Sequence, residues 1–307
     1  MNTILKVKKL EKVFHTEKGS EQQVLKDIEF CVEEGDFIAI MGPSGSGKST
    51  LLYNISGMDQ PSSGEILLDN EKISGLDEKA LSDIRLRRLG YVFQQPHLIR
   101  CLSVKENIIL GASLLHKHTG EELEKKAMSL MKKTGIEELA ERDISTLSGG
   151  QAQRVSICRS LMNDPRIIFA DEPTGALNSK TSDEVMNLLV DMNQAGSTIM
   201  LVTHDSKVAA KANQVWFLLD GCIYKKITLG KWDKKADSLL KRQEEVMHII
   251  SRWYNVEAVF QNESLKKVSF SGNLKRYDDF EHIVSMLEMT GGIRFKVEGR
   301  KIFITEK

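Results

Sequence analysis

The sequence predicts an α/β protein with a parallel sheet at its centre and a smaller α+β unit at its C-terminal end. Two short apolar runs, residues 166–170 and 198–202, bracket a stretch of helical period at 179–194, and a strand–helix–strand succession implies parallel strands. A third apolar run at 37–41 ends in a glycine-rich turn and then a helix from Lys48, the context that a phosphate-binding loop requires. Past about residue 240 the succession becomes α-β-β-α-β-β, which belongs to a different architecture.

Taken in order, residues 4–14 and 24–32 are rich in β-branched and apolar side chains and read as strands, with a polar turn over 16–23. Residues 77–163 follow a mainly helical period, with helices expected at 103–115 and 121–134. Residues 215–219 and 222–227 flank Asp220-Gly221, a dipeptide suited to the positive φ of a two-residue hairpin turn. The lysine-rich, weakly patterned stretch from 224 to 240 marks a boundary. Beyond it come a helix at 239–253, strands at 256–260 and 268–271, a second helix at 278–289, and a closing hairpin of 293–297 and 301–304. The expected organisation is residues 1–228 for the large unit, 229–240 for a linker and 241–307 for the small module.

Composition narrows the function. Apolar residues make up 41% of the chain, enough for a substantial core, while 43 basic and 43 acidic residues cancel. A neutral chain lacks the bulk charge that steers proteins onto nucleic acid, and no nucleic-acid partner is expected. No run approaches 18 apolar residues, and the N-terminus lacks the apolar core and cleavage site of a signal peptide, so a cytosolic location is expected. The four cysteines (Cys31, Cys101, Cys158 and Cys222) lie far apart without a CxxC pair and read as reduced apolar side chains.

Gly42, Pro43, Ser44, Gly45, Ser46, Gly47, Lys48 and Ser49 fit the pattern GxxxxGK[ST], with Thr50 following in the helix. Glycines let backbone N–H groups curl around phosphate oxygens, and the helix start adds the positive end of its dipole. Lys48 is spaced to reach the β- and γ-phosphates of a nucleotide, and Ser49 to ligate Mg2+. The strand at 166–170 runs into Asp171 and Glu172. An acidic pair after a strand is commonly a helix cap or a solvated turn. Placed about 120 residues after the phosphate loop, Asp171 would stand near the metal through water, and Glu172 near the γ-phosphate to activate the attacking water. A second anion-binding helix start is offered by Ser148, Gly149, Gly150 and Gln151.

Leu147-Ser148-Gly149-Gly150-Gln151 resembles the LSGGQ signature of ABC transporter ATPases. That resemblance covers residues 1–225 in motif order. It implies a P-loop ATPase with a mixed-sheet core, an antiparallel β subdomain and a helical subdomain, using ATP and Mg2+. It further implies a head-to-tail homodimer in which each nucleotide is held by the phosphate loop of one copy and by Ser148–Gln151 of the other. Within it, Gln94 (with Gln95 adjacent as the alternative) resembles the glutamine that senses Mg2+ and the water, His204 the switch histidine at the γ-phosphate, and Phe14 the aromatic that stacks on adenine. Asn178 stands where relatives commonly have an aspartate used across the dimer, and Ala152 replaces a usual glutamine. The stretch 173–186 and the segment Phe93-Gln94-Gln95-Pro96-His97-Leu98-Ile99 look most like ATPases for export of, or resistance to, antimicrobial peptides such as bacitracin, alongside macrolide and lipoprotein-release relatives. A separate multi-spanning permease and a peripheral place on the cytoplasmic face of the inner membrane are implied. The alternative is a soluble non-transport ATPase acting as a switch.

The tail segments 250–256, 270–274 and 290–295 resemble the C-terminal module of FecR-type anti-sigma regulators. That module's home is periplasmic, whereas the ATPase should be cytosolic. Either a fusion used for protein contacts or a chimera accounts for the pair, and the partner of the module stays unknown.

Overall fold

The computed structural model describes residues 2–15, 20–253, 257–260, 293–298 and 301–306. An antiparallel sheet of β1 (Thr3–His15), β2 (Glu21–Glu33), β4 (Ser63–Leu68) and β5 (Glu71–Lys72) runs in the order β2-β1-β4-β5. A second sheet contains β3 (Phe37–Met41), β6 (Leu89–Phe93), β7 (Ile167–Asp171), β8 (Ile199–Val202), β9 (Gln214–Leu219) and β10 (Cys222–Thr228), ordered β10-β9-β3-β8-β7-β6. Its neighbours are parallel except for β10, which closes the edge as the antiparallel arm of a hairpin. The expected turn is there: Asp220 and Gly221 both have positive φ and join Leu219 to its partner Cys222.

Continuous apolar strands follow from burial on both faces. Along β3, Ile38 and Ile40 face a core shared with the antiparallel sheet and with α1 (Lys48–Ile55). Phe37, Ala39 and Met41 point the other way, into a core closed by α6 (Ser179–Gln194), α7 (Ser206–Ala209) and α8 (Ala236–Trp253). The same alternation splits β8: Met200 and Val202 to the first core, Ile199 and Leu201 to the second. A third core, around Ile108, Met131 and Val155, joins α3 (Val104–Ser113), α4 (Gly120–Thr134) and α5 (Gly149–Leu161) into a helical subdomain. All three of these helices start with a reciprocal capping box: Ser103 with Glu106, Thr119 with Glu122, and Ser148 with Gln151.

Some sequence expectations shift. The helical period over 77–163 is interrupted by β6, where Leu89-Gly90-Tyr91-Val92-Phe93 pairs with β7 at the end of α2 (Glu78–Arg88). A five-residue β-prone run is too short to disturb a helical window, so only pairing reveals it. The polar turn is shorter than expected, since β2 begins at Glu21; residues 16–19 lie outside the described residues. The tail contains a sheet ordered β11-β13-β12, from β11 (Glu257–Phe260), β12 (Ile293–Glu298) and β13 (Lys301–Glu306). β13 pairs antiparallel with β12, as the closing hairpin predicts, and parallel with β11. The strand expected at 268–271 and the helix at 278–289 lie outside the described residues.

Helix α8 begins at Ala236, within the stretch expected to be a linker, and it is fastened to the larger body. Val246 and Ile249 are buried in the same core as Phe37 and Phe217, with Trp232 beside them. The Arg242 guanidinium donates to the carbonyls of Ala210, Ala212, Leu229 and Gly230. Among the described residues no helix is long and apolar enough to cross a membrane.

Candidate active site

The loop between β3 and α1 winds tightly enough that side chains would block it. Gly47 takes φ +99°, a conformation L-residues rarely adopt, and a Cβ on Gly42 would lie 2.2 Å from the Leu218 carbonyl oxygen. Inside the loop the Ser46 hydroxyl is buried and has no hydrogen-bond partner among the described residues. A buried orphan hydroxyl is costly unless an acceptor or donor completes it, and an anionic oxygen cradled by the loop would do so. The Asp220-Gly221 turn abuts the same loop, Gly221 N–H donating to Ser46 O at 3.2 Å. Lys48 Nζ donates to the carbonyls of Gly42 and Pro43, each at 2.9 Å, which folds its stem along the loop. Burial pulls the Lys48 ammonium below the usual lysine range, while Glu172 and Asp171 act in the opposite sense.

The parallel pairing of β6, β7 and β8 sets the acidic side of the site, because β7 ends at Asp171 beside α1. Asp171 receives Ser49 Oγ at 3.2 Å on Oδ1 and Tyr53 Oη at 2.9 Å on Oδ2. Burial raises the Asp171 carboxyl above its ordinary value, and the two hydroxyl donors oppose that rise. Burial also pushes the Tyr53 hydroxyl up to about 12, so it stays a donor. Tyr53 is not among the residues that the sequence singles out. Its one signal is a position four residues after Ser49, on the same face of α1.

Glu172 comes next with φ +46°, an uncommon backbone for a residue bearing a side chain. The turn places its carboxylate against His204, with Oε1 3.0 Å from Nδ1. That hydrogen bond is the leading cause of a lowered Glu172 and a raised His204. Gln94, just past β6, enters from another side: a Cβ on Gly175 would lie 2.8 Å from Gln94 Nε2 and 3.1 Å from Glu172 Oε2. Glycine at 175 therefore leaves room for an amide and a carboxylate to converge. Phe14 lies at the end of β1, 43% exposed, with Lys12 Nζ 4.9 Å from its ring centroid. Lys12 is held by Asp59 and by the Gln60 carbonyl, at 2.8 and 2.6 Å.

Ser148 caps α5 on an exposed corner of the helical subdomain, its Oγ accepting from Gln151 N–H at 3.3 Å. Gly150 sits against α6, where a Cβ would come within 2.2 Å of Thr181 Cγ2. Gln153, also unpredicted, donates to Phe93 O at 2.9 Å and ties α5 to the end of β6, next to Gln94. Asn178 caps α6, its Oδ1 accepting from Thr181 N–H at 3.0 Å. The structure thus brings Lys48, Ser49, Asp171, Glu172, His204 and Gln94 near one another, while Ser148 and Gly149 present an exposed helix start.

The donor set fits a magnesium nucleotide. Among the described residues no cluster of three or more His, Cys, Asp or Glu side chains could hold a metal alone. Ser49 and Asp171 offer hard oxygens, as Mg2+ requires when phosphates and water complete its shell.

The family model described as "ABC transporter" matches residues 25–175, and one described as "FecR, C-terminal" matches residues 241–304. The ABC transporter ATP-binding protein MJ0796 of Methanocaldococcus jannaschii is 43% identical over 233 residues, covering 74% of this chain and 99% of that protein. The bacitracin export ATP-binding protein BceA of Halalkalibacterium halodurans is 40% identical over 239 residues, 78% of this chain and 93% of that protein. The macrolide export ATP-binding/permease protein MacB of Wolinella succinogenes is 44% identical over 221 residues, but the match spans only 34% of that longer protein. Among solved structures, a dimeric post-hydrolysis state of the MJ0796 cassette bound to ADP and Pi superposes with TM-score 0.69 at 39% identity, over 75% of this chain and all of that one.

Proposed function

The chain belongs to the ABC transporter ATP-binding family, and on that footing we propose that it powers a separate membrane permease by hydrolysing ATP at a site completed by a second copy of itself. The observation that carries this reading is geometric. A phosphate loop with an orphaned Ser46 hydroxyl lies beside Glu172 and His204, while a second phosphate-type helix start at Ser148 faces outward. An outward helix start is free to complete a site on another molecule, and the relative MJ0796, solved as a dimer bound to ADP and Pi, supports a two-copy reading.

In this reading the backbone N–H groups from Gly42 to Lys48 hold the β- and γ-phosphates, and Phe14 stacks on adenine. Ser49, Asp171 (through water) and Gln94 would hold Mg2+, which would supply neutralisation of the charge building on the phosphates. Lys48 exchanges its loop carbonyls for phosphate oxygens. Glu172 orients and deprotonates the attacking water, and His204 holds the Glu172 carboxylate in place and reaches the γ-phosphate. Ser148, Gly149, Gly150 and Gln151 close on the same phosphate from the partner copy and exclude water, which strengthens every charged contact inside. The names of BceA and MacB support export, and the antimicrobial-peptide role is our reading of the subgroup. Attachment to the cytoplasmic face of the membrane then comes through the permease. Residues 1–228 form the ATPase unit in this proposal, with 241–307 as an added module.

Glu172→Gln is the direct test. Loss of a general base commonly costs about 10²–10⁴ in rate. The variant should bind ATP, turn over at least a hundredfold more slowly and accumulate as a dimer in size-exclusion chromatography with Mg2+ and ATP. Near-normal turnover would remove Glu172 from its role. A variant that stays monomeric under those conditions, together with undiminished turnover in Ser148→Arg, would remove the shared site.

A further inference from the structure

Asp171 is held by two hydroxyls from one helix. Ser49 and Tyr53 stand four residues apart on α1, and each donates to a different carboxylate oxygen: Ser49 Oγ to Oδ1 at 3.2 Å, Tyr53 Oη to Oδ2 at 2.9 Å. With both oxygens engaged, the carboxylate plane cannot rotate freely. The two donors differ in their other duties. In the proposed site the Ser49 oxygen also ligates the cation, so its distance to Asp171 has to suit the metal. Tyr53 is under no such demand. Its ring packs on the core that holds Leu51, Leu52 and Phe169, which fixes where the hydroxyl stands. Its own carbonyl accepts the N–H groups of Met58 and Asp59, which anchors the end of the helix.

We propose that Tyr53 is a positioning residue for metal binding: its hydroxyl sets the plane of the Asp171 carboxylate so that the oxygen shared with Ser49 faces the cation. The inference rests on the roles proposed above for Ser49 and Asp171. In that site Asp171 meets the cation through water, and removing an outer-shell group that orients a metal site typically costs about 10–100-fold in metal affinity. Removing a group that merely packs lowers stability without favouring the metal-bound state over the metal-free one.

The test is Tyr53→Phe in the full-length chain, which deletes the hydroxyl and keeps the ring. Binding of a fluorescent ATP analogue is titrated in EDTA and then against free Mg2+, with the melting temperature followed in parallel. The expected result is an unchanged affinity in EDTA and a rise of about tenfold or more in the half-saturating Mg2+ concentration. An unchanged Mg2+ requirement overturns the proposal, as does a loss of affinity of the same size with and without metal. Asp171→Asn separates the two levels of argument. If it raises the Mg2+ requirement while Tyr53→Phe does not, only the positioning role falls; if neither variant does, the proposed metal site falls as well.

Discussion

One hydrogen bond moves two titrations in opposite directions at Glu172 and His204. The contact lowers Glu172 and raises His204, whose ordinary value is 6.5. A raised histidine contributes stability that is complete below its unfolded value and is lost as pH rises through the folded one. A lowered glutamate contributes stability that is present above its unfolded value and is lost as pH falls through the folded one. The ion pair therefore lives between the two folded-state values. Glu172→Gln removes the charge partner, so the His204 midpoint, read from imidazole resonances in nucleotide- and metal-free protein, should fall toward 6.5. A midpoint that does not move would show that another group governs His204. The residues of this pair are legible in the sequence because each succeeds an apolar strand at a motif position. Tyr53 is not, since the chain separates it from Asp171 by 118 residues and only the packing of α1 on the sheet joins them.

Between elements, α5 comes close enough to α6 that a Cβ on Gly150 would lie 2.2 Å from Thr181 Cγ2. Gly150→Ala should cost about 1–3 kcal/mol, the usual range for an extra carbon in a packed place. Trimming the opposing methyl with Thr181→Ser should return part of it, and chemical denaturation of both single variants and the double one measures the coupling. If the double variant is no more stable than the sum of the singles predicts, the contact does not govern Gly150. At the start of α6, Asn178→Ala should lose about 1 kcal/mol of cap stability while Asn178→Asp keeps it, since asparagine and aspartate cap comparably. Equal melting temperatures for the two variants would deny Asn178 a capping role. In the sequence the glycine reads as part of an anion-binding turn. Its steric role is hidden there because Thr181 lies on another helix. β6 is hidden for a similar reason, as five residues acquire strand character only by pairing with β7.

Across the molecule, the passage from ATPase unit to tail looks unlike the compositional boundary. The lysine-rich stretch before residue 240 is weakly patterned, yet Trp232, Arg242, Val246 and Ile249 fasten its end and the helix beyond it to the sheet. The apolar period of α8 is readable in the sequence, but not the surface it chooses. A chain ending at residue 230 would lose those buried side chains, each apolar one worth about 1.5–3 kcal/mol, whereas one ending at 253 keeps them. The shorter chain should melt well below the longer in a thermal scan. Equal melting temperatures would mean that α8 merely rests on the sheet. Synthesis on the ribosome inherits this dependence. The core around Phe37, Val215 and Phe217, which α6 and α7 already border, lacks Val246 and Ile249 until α8 has emerged, about 25 residues after β10. At about 5–20 residues per second that is an interval of a few seconds in which part of that greasy core is open to wrong partners.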